Sequence, residues 1–362
     1  MPQNISTKIK ELQLFETRAT ELPQLADATH TLPEVRFLVL NLMTDNGTLG
    51  QSYALVFHYF PNTLAAAIQD LAEFATDFHV SETQKFRSAF LKEAEYFGEP
   101  GLLTWAQGLL NIAMWDAWAK ELKQPVWRLF GTCHEKVPVY GSGGWLSYSD
   151  EELIDEAQRY VSRGFQSIKV KVGSPQPGRD LERLRITREA VGPHIRIMMD
   201  ANQGMTVPDA VELARAAEPL GITWFEEPLK HDDYDGFATL RQQTGISIAM
   251  GEREFSSIPL MELAKRKAID FWQPDILRLG GVEPWKESAA IAAGFNLPVL
   301  PHYYKDYDVP LLCTIPNAHA AESFDWIDPL IDNSMVIENG FAYPRATPGW
   351  GFIFKTDILR PV

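Results

Sequence analysis

The chain of 362 residues is long enough for one large domain with a smaller accessory one. Its 45% hydrophobic and 22% charged residues are those of a globular protein in water, and no apolar run approaches the roughly 18 residues needed to span a bilayer. A formal net charge of −15 excludes the basic face of a nucleic-acid binder, and Cys133 and Cys313 are too few for a disulfide framework, which points to a reducing cytoplasm. The opening Met1-Pro2-Gln3-Asn4 is polar and lacks the apolar core of a signal peptide.

In chain order, residues 8–22 and 37–56 alternate as strands do, with Asp45-Asn46-Gly47 as a tight hairpin turn. Helical patterns follow over 62–78, 81–96 and 102–122, the last with Leu109, Ala113, Trp115 and Leu122 at helical spacing. This first part reads as a small α+β module. From Val137 the rhythm becomes strand, helix, strand, helix, with short apolar runs at 137–141, 167–172, 195–200, 223–226, 247–251, 271–275, 298–301 and 318–323. Helical stretches such as 150–163 and 179–190 separate them, so a parallel barrel or a doubly wound sheet is expected. The absence of G-x-G-x-x-G after the first strand weakens a dinucleotide reading. The last forty or so residues are irregular and Pro-rich, with Pro344, Pro348 and Pro361, and should pack back on the first module.

Polar residues mark the C-terminal ends of successive strands: Lys169 and Lys171, Asp200 and Asn202, Glu226-Glu227, Glu252, Gln273 and Asp275, His302, Glu322. Barrel enzymes place their chemistry at that end. Asp200, Glu226 and Glu252 are 26 residues apart, about one strand-helix unit, and would converge from neighbouring strands. Three carboxylates in a low-dielectric mouth need neutralising, and oxygen-only ligands favour Mg²⁺ over Zn²⁺. Alternation leaves Glu226 and Glu227 undecided, since only one of two successive strand residues faces inward. Lys169 and Lys171 share a face about 6.6 Å apart. Mutual repulsion should lower the pKa of one of them toward that of a general base. Asp275 and His302 come from adjacent strands and suit a carboxylate–imidazole pair, on the side of the barrel opposite Lys171.

The segments I-K-V-K-V-G (168–173), M-D-A-N-Q (199–203), W-F-E-E-P (224–228), M-G-E (250–252), Q-P-D…R-L-G-G (273–281) and P-H (301–302), with Met114-Trp115-Asp116 upstream, run in order through the chain. Together they resemble the mandelate racemase subgroup of the enolase superfamily over essentially the whole length. The resemblance implies a (β/α)7β modified TIM barrel over residues 131–325. An N-terminal α+β capping domain (1–130) would be completed by a C-terminal segment (326–362). It implies Mg²⁺ on Asp200, Glu226 and Glu252, with Lys169 and Glu322 holding a small carboxylate substrate, Glu322 in its protonated form. Lys171 and the His302–Asp275 dyad would be the acid/base catalysts, and Asn202 a substrate contact. A homo-oligomer, dimer to octamer, without nucleic-acid or membrane partners, is also implied.

Relatives with both bases carry out racemisation, elimination of water from acid sugars, or cycloisomerisation, and the resemblance favours an acid-sugar dehydratase. The capping segments at 27–33 and 53–59 should select the substrate, with His30, Tyr53 and His58 as candidate contacts. Their polarity suits a hydroxylated sugar acid better than an aromatic one. Lys305, an extra cation just after His302, is expected to meet a polar or anionic distal group. A phosphate-binding barrel is disfavoured because no Gly-rich turn follows strands seven and eight. A non-catalytic relative is disfavoured because both bases and all three acids are present.

Overall fold

The computed structural model describes residues 7–19 and 22–362. The polar start at Met1–Asn4, and Thr20 and Glu21 near the end of the first expected strand, lie outside them.

Strand Ile9–Arg18 pairs antiparallel with Arg36–Thr44, which pairs with Leu49–Leu55 across the expected turn. Gly47 takes φ 91° there, a left-handed conformation that costs a glycine little. The C-terminal Arg360–Pro361 joins the free edge of the first strand, opposite Phe15 and Glu16. Three helices follow, Pro61–Ala75, Thr83–Ala94 and Leu102–Glu121. The third is buried on nearly every side because it lies between this sheet and the barrel. Its Asp116 accepts hydrogen bonds from the backbone of Gln51 and Trp350, each at 2.8 Å, and from Lys120 at 2.5 Å. Its Asn111 Oδ1 accepts from Val282 N at 2.9 Å, at the start of a barrel helix. One helix therefore fixes cap, tail and barrel to one another.

The barrel strands are Val137–Gly143, Ser167–Lys171, Arg196–Asp200, Ile222–Glu226, Ser247–Met250, Phe271–Trp272, a single bridging residue at Val299, and Ala321–Ser323. Neighbours pair parallel in that order. Val299 bridges Trp272 and Ala318, and Ala321–Ser323 pairs with Val139–Gly141, which closes the ring. Tyr140, Met198, Trp224, Ala249, Leu300 and Ala320 fill its interior. Burying each large side chain there contributes roughly 1.5–3 kcal/mol and leaves no pore. The polar strand ends stand on this apolar floor. Among the described residues no helix is long and apolar enough to cross a membrane.

Candidate active site

Lys169 and Lys171 both point into the mouth from the strand Ser167–Lys171, as two-residue spacing requires, and both are buried. The Lys169 ammonium touches Glu226 Oε1, lies 2.6 Å from Glu322 Oε1 and 3.6 Å from Asp200 Oδ2. Lys171 Nζ lies 2.5 Å from Asp200 Oδ2. Asp200 Oδ1 accepts from the Asn202 backbone at 2.9 Å, and Glu226 Oε2 from the Trp224 indole at 3.2 Å. Glu322 Oε2 accepts from Tyr303 N at 2.8 Å.

His302 Nδ1 is 2.8 Å from Asp275 Oδ2, and its Nε2 is 3.4 Å from Glu252 Oε2. Asp275 is itself held, its other oxygen accepting from Leu277 N at 2.8 Å and Arg278 N at 3.0 Å. Arg253 Nε reaches Glu227 Oε2 at 3.3 Å and Glu252 Oε1 at 3.2 Å. Glu226 and Glu227 are thus both buried in the charged cluster. The expectation that only one faces inward fails because Glu227, just past its strand, takes φ 37° and breaks the alternation. Asn202 (φ 41°) and Tyr303 (φ 67°) make the same left-handed turn beside other site residues. Such conformations cost of order 1–3 kcal/mol each and cluster where function fixes the backbone.

The electrostatics differ from expectation at two points. Burial pushes the Lys169 and Lys171 ammoniums toward lower pKa, but Glu226 and Glu322 around Lys169, and Asp200 beside Lys171, outweigh it and raise both above their ordinary value. Repulsion between the two lysines is the weaker effect. Burial likewise pushes the Glu322 carboxyl up, yet Lys169 and His302 hold it below its ordinary value, so this geometry favours the ionised rather than the protonated form. Burial lifts Glu226 to about 7 against the pull of Lys169, with Asp200, Glu322 and Glu252 adding to the rise. Burial and Glu252 lift Glu227 well above the carboxylate range. Burial opposes the charge on His302, but Glu252 and Asp275 raise its pKa.

A cavity of about 410 Å³ opens above these groups, lined by Lys169, Lys171, Asn202, Glu252, Asp275, His302 and Glu322 from the barrel and by Asp27, His30 and Tyr59 from the cap. The cap loop is stiffened locally, with Asp27 Oδ1 accepting from the backbone of Thr29 and His30 at 2.7 Å each. Thr29 Oγ1 donates to Asn202 O at 3.1 Å and seats the loop on the barrel. His58 is exposed, its ring 4.1 Å from that of Tyr59, and stands apart from the cavity lining. Two expected substrate contacts also lie elsewhere. Tyr53 is 1% exposed among Tyr304, Tyr307 and Phe352, its hydroxyl donating to Asp306 at 2.8 Å. Lys305 opens the helix Lys305–Leu312 and turns inward, its ammonium 2.9 Å from Phe324 O and 2.6 Å from Asp328 Oδ2. It is a structural cation, because the chain after His302 coils into a helix instead of an open loop.

The remaining wall is apolar and was not anticipated. Trp145 stacks on Trp326 with centroids 5.8 Å apart, Trp326 on Phe324 at 4.4 Å, and Tyr303 lies 5.5 Å from Phe324. These rings come from the loops after the first, seventh and eighth barrel strands, positions that no periodicity marks.

Among the described residues no three carboxylate or imidazole side chains enclose one point as ligands would, since Lys169 and Lys171 reach in between Asp200 and Glu226. The donor set nonetheless fits a hard divalent cation. Six carboxylates (Asp200, Glu226, Glu227, Glu252, Asp275, Glu322) gather at these strand ends against four permanent cations (Lys169, Lys171, Arg253, Arg278), all buried or nearly so. Two positive charges would balance them; burial is the main reason the Glu226 and Glu227 carboxyls are raised, and the neighbouring carboxylates add to it.

Residues 9–131 match the mandelate racemase / muconate lactonizing enzyme N-terminal domain, and residues 152–358 match the enolase C-terminal domain-like family. An arabinonate dehydratase of Saccharolobus solfataricus is 32% identical over 278 residues, 73% of this chain and 74% of that one. A 3,6-anhydro-alpha-L-galactonate cycloisomerase of Streptomyces coelicolor is 27% identical over 93% of this chain and 94% of its own. The crystal structure of L-talarate dehydratase from Polaromonas sp. JS666, complexed with Mg and L-glucarate, superposes with a TM-score of 0.90 at 26% identity, covering 98% of this chain and 99% of that one. With its strand-end residues in the order described above, the chain belongs to the mandelate racemase subgroup of the enolase superfamily.

Proposed function

We propose that the protein is a Mg²⁺-dependent lyase that removes the α-proton of a hydroxylated carboxylate and expels its β-hydroxyl, giving a 2-keto-3-deoxy acid. The observation that carries this reading is one cavity lined by two acid/base groups from different strands, Lys171 and the Asp275-oriented His302, above the carboxylates Asp200, Glu226 and Glu252. Those three are the proposed metal ligands, and the ion would supply positive charge where the enediolate develops negative charge. Lys169 holds the substrate carboxylate, Glu322 takes up a proton as the substrate binds so that it can donate to the other carboxylate oxygen, and Asn202, whose Oδ1 is buried without a partner, faces the substrate hydroxyls. One base takes the proton as the Cα–H bond breaks. Its electron pair first enters the carboxylate as the enediolate and then forms the Cα=Cβ bond as the Cβ–O bond breaks, the other group protonates the departing oxygen, and the enol tautomerises to the keto acid.

The similarity to an arabinonate dehydratase supports elimination. Incubating a panel of sugar acids with enzyme and Mg²⁺, and trapping keto acid as its semicarbazone, tests it. Product that has lost one water from at least one acid is the expected result, and unchanged acids throughout would overturn the reading. Similarity to a cycloisomerase over 93% of the chain supports a second reading, an isomerase using the same two bases. A product of unchanged mass with altered connectivity or configuration by NMR would select it.

A further inference from the structure

We infer that the substrate is a 2,3-dihydroxy monocarboxylate whose far end is apolar, and not a polyhydroxylated diacid; this rests on the proposed carboxylate chemistry and narrows it. The first ground is the wall facing the catalytic groups. Trp145 lies beside the base, with Lys171 Nζ 5.2 Å from its ring centroid, and it opens a continuous ring platform through Trp326 and Phe324. Phe57 meets Trp326 edge-on at 6.1 Å, and Leu55 and Trp105 extend the apolar lining. Distal hydroxyls laid against these carbons and rings would lose water without gaining partners, which costs roughly 1–3 kcal/mol each. An alkyl or aryl group would gain roughly 25 cal/mol for each Å² buried.

The second ground is charge. Among the described residues lining the cavity, each permanent cation already has a protein partner: Lys169 has Glu226 and Glu322, Lys171 has Asp200, Arg253 has Glu227 and Glu252, and Arg278 Nη1 donates to the Glu252 backbone oxygen at 2.5 Å. Lys305, the cation closest in sequence that could have met a distal carboxylate, is spent on Asp328. Asp27, the acid on the cap side, would repel a second carboxylate. Lys169, together with the ion proposed at Asp200, Glu226 and Glu252, would hold one carboxylate, and the rest of the cavity, between the rings and Asp27, offers a second one no cation without a partner.

The test compares galactarate with the diastereomers of 2,3-dihydroxy-4-phenylbutanoate on the Mg²⁺-loaded enzyme. It reads kcat/KM for keto acid and, separately, binding by quenching of indole fluorescence, since Trp105, Trp145 and Trp326 line the cavity. The phenyl acid should bind and react at least about 10-fold better, the scale of discrimination an apolar pocket supplies. Leu102→Arg, at a half-exposed rim position, should move that ratio at least about 10-fold toward galactarate by supplying the missing cation. Galactarate handled equally well or better by the wild type overturns the inference and leaves the lyase intact. Tighter binding of the phenyl acid without turnover upholds the apolar slot and counts against elimination. Failure of both acids to bind or react overturns the inference, and the lyase then stands or falls on the sugar-acid panel.

Discussion

The two halves of the active-site cavity are built by opposite rules. The barrel half is a closed network in which nearly every charged atom has a partner, held by strand ends whose positions the sheet dictates. The wall facing it is a stack of rings drawn from separate loops, with few polar atoms. On the proposed function, one half would stabilise developing charge on a bound α-carboxylate and the other would choose which carboxylate arrives. That division predicts that reaction type and substrate choice separate, so that substitutions in the two halves should have different signatures.

The largest effects belong to the barrel half. Lys171→Ala and His302→Asn should each reduce keto-acid formation by about 10²- to 10⁴-fold, the usual contribution of a positioned acid or base, with Mg²⁺ affinity retained. If one variant keeps exchanging the α-proton while elimination stops, its missing group is the acid that protonates the leaving oxygen. Glu252→Gln should weaken Mg²⁺ binding by more than about 10-fold in calorimetry, because it removes a charged ligand from a hard-cation site. Normal affinity in that variant would break the assignment of the carboxylates to the ion.

The next effect sharpens the boundary between the halves. Lys305→Ala should lower stability by about 3 kcal/mol, because it strips Phe324 O and Asp328 of a buried cation. A lower thermal midpoint with KM within about twofold of wild type is expected, whereas a raised KM at unchanged stability would return Lys305 to the substrate site. The smallest effect lies outside the cavity lining, where His231 Nδ1 sits 3.0 Å from Glu254 Oε1. The Glu254 hydrogen bond, against partial burial, raises the His231 pKa above its ordinary value. Its contribution is therefore fully present below about pH 6.5 and lost as pH rises through the folded-state value. The stability gap between wild type and His231→Gln should shrink from about pH 6 to about pH 9, and a gap that widens would contradict the pairing.

The barrel half was legible in the sequence for a physical reason. A two-residue strand period and a one-unit spacing of acids are local patterns, so Lys169, Lys171, Asp200, Glu226, Glu252, Asp275, His302 and Glu322 could be placed on adjacent strand ends before any coordinates. Alternation misled only at Glu227, where a left-handed backbone turn brings two successive acids into one cluster. The ionisation of the lysines and Glu322 was misjudged because each answers to partners from other strands, the lysines to Glu226, Glu322 and Asp200, and Glu322 to Lys169 and His302, which sequence spacing does not reveal. The aromatic wall was not legible at all. Trp145 follows the first strand, Phe324 and Trp326 the eighth, and Trp105 belongs to a cap helix, so only tertiary structure gathers them. Polar Asp27, Thr29 and His30 dominated the reading of the cap, although Thr29 holds the loop down and Asp27 braces it. Tyr53 and Lys305 misled because proximity along the chain is not proximity to a cavity.

The central claim is that this site removes a proton from the carbon next to a carboxylate with the help of a divalent ion. Its most direct test is NMR of a turned-over or tightly bound hydroxy acid incubated with the enzyme in D₂O, with and without Mg²⁺. Deuterium at Cα, or in the derived keto acid at the carbon protonated last, that appears only with Mg²⁺ is the result predicted. Incorporation that proceeds as fast after the metal is chelated, or a product formed with the α-hydrogen fully retained, would contradict it.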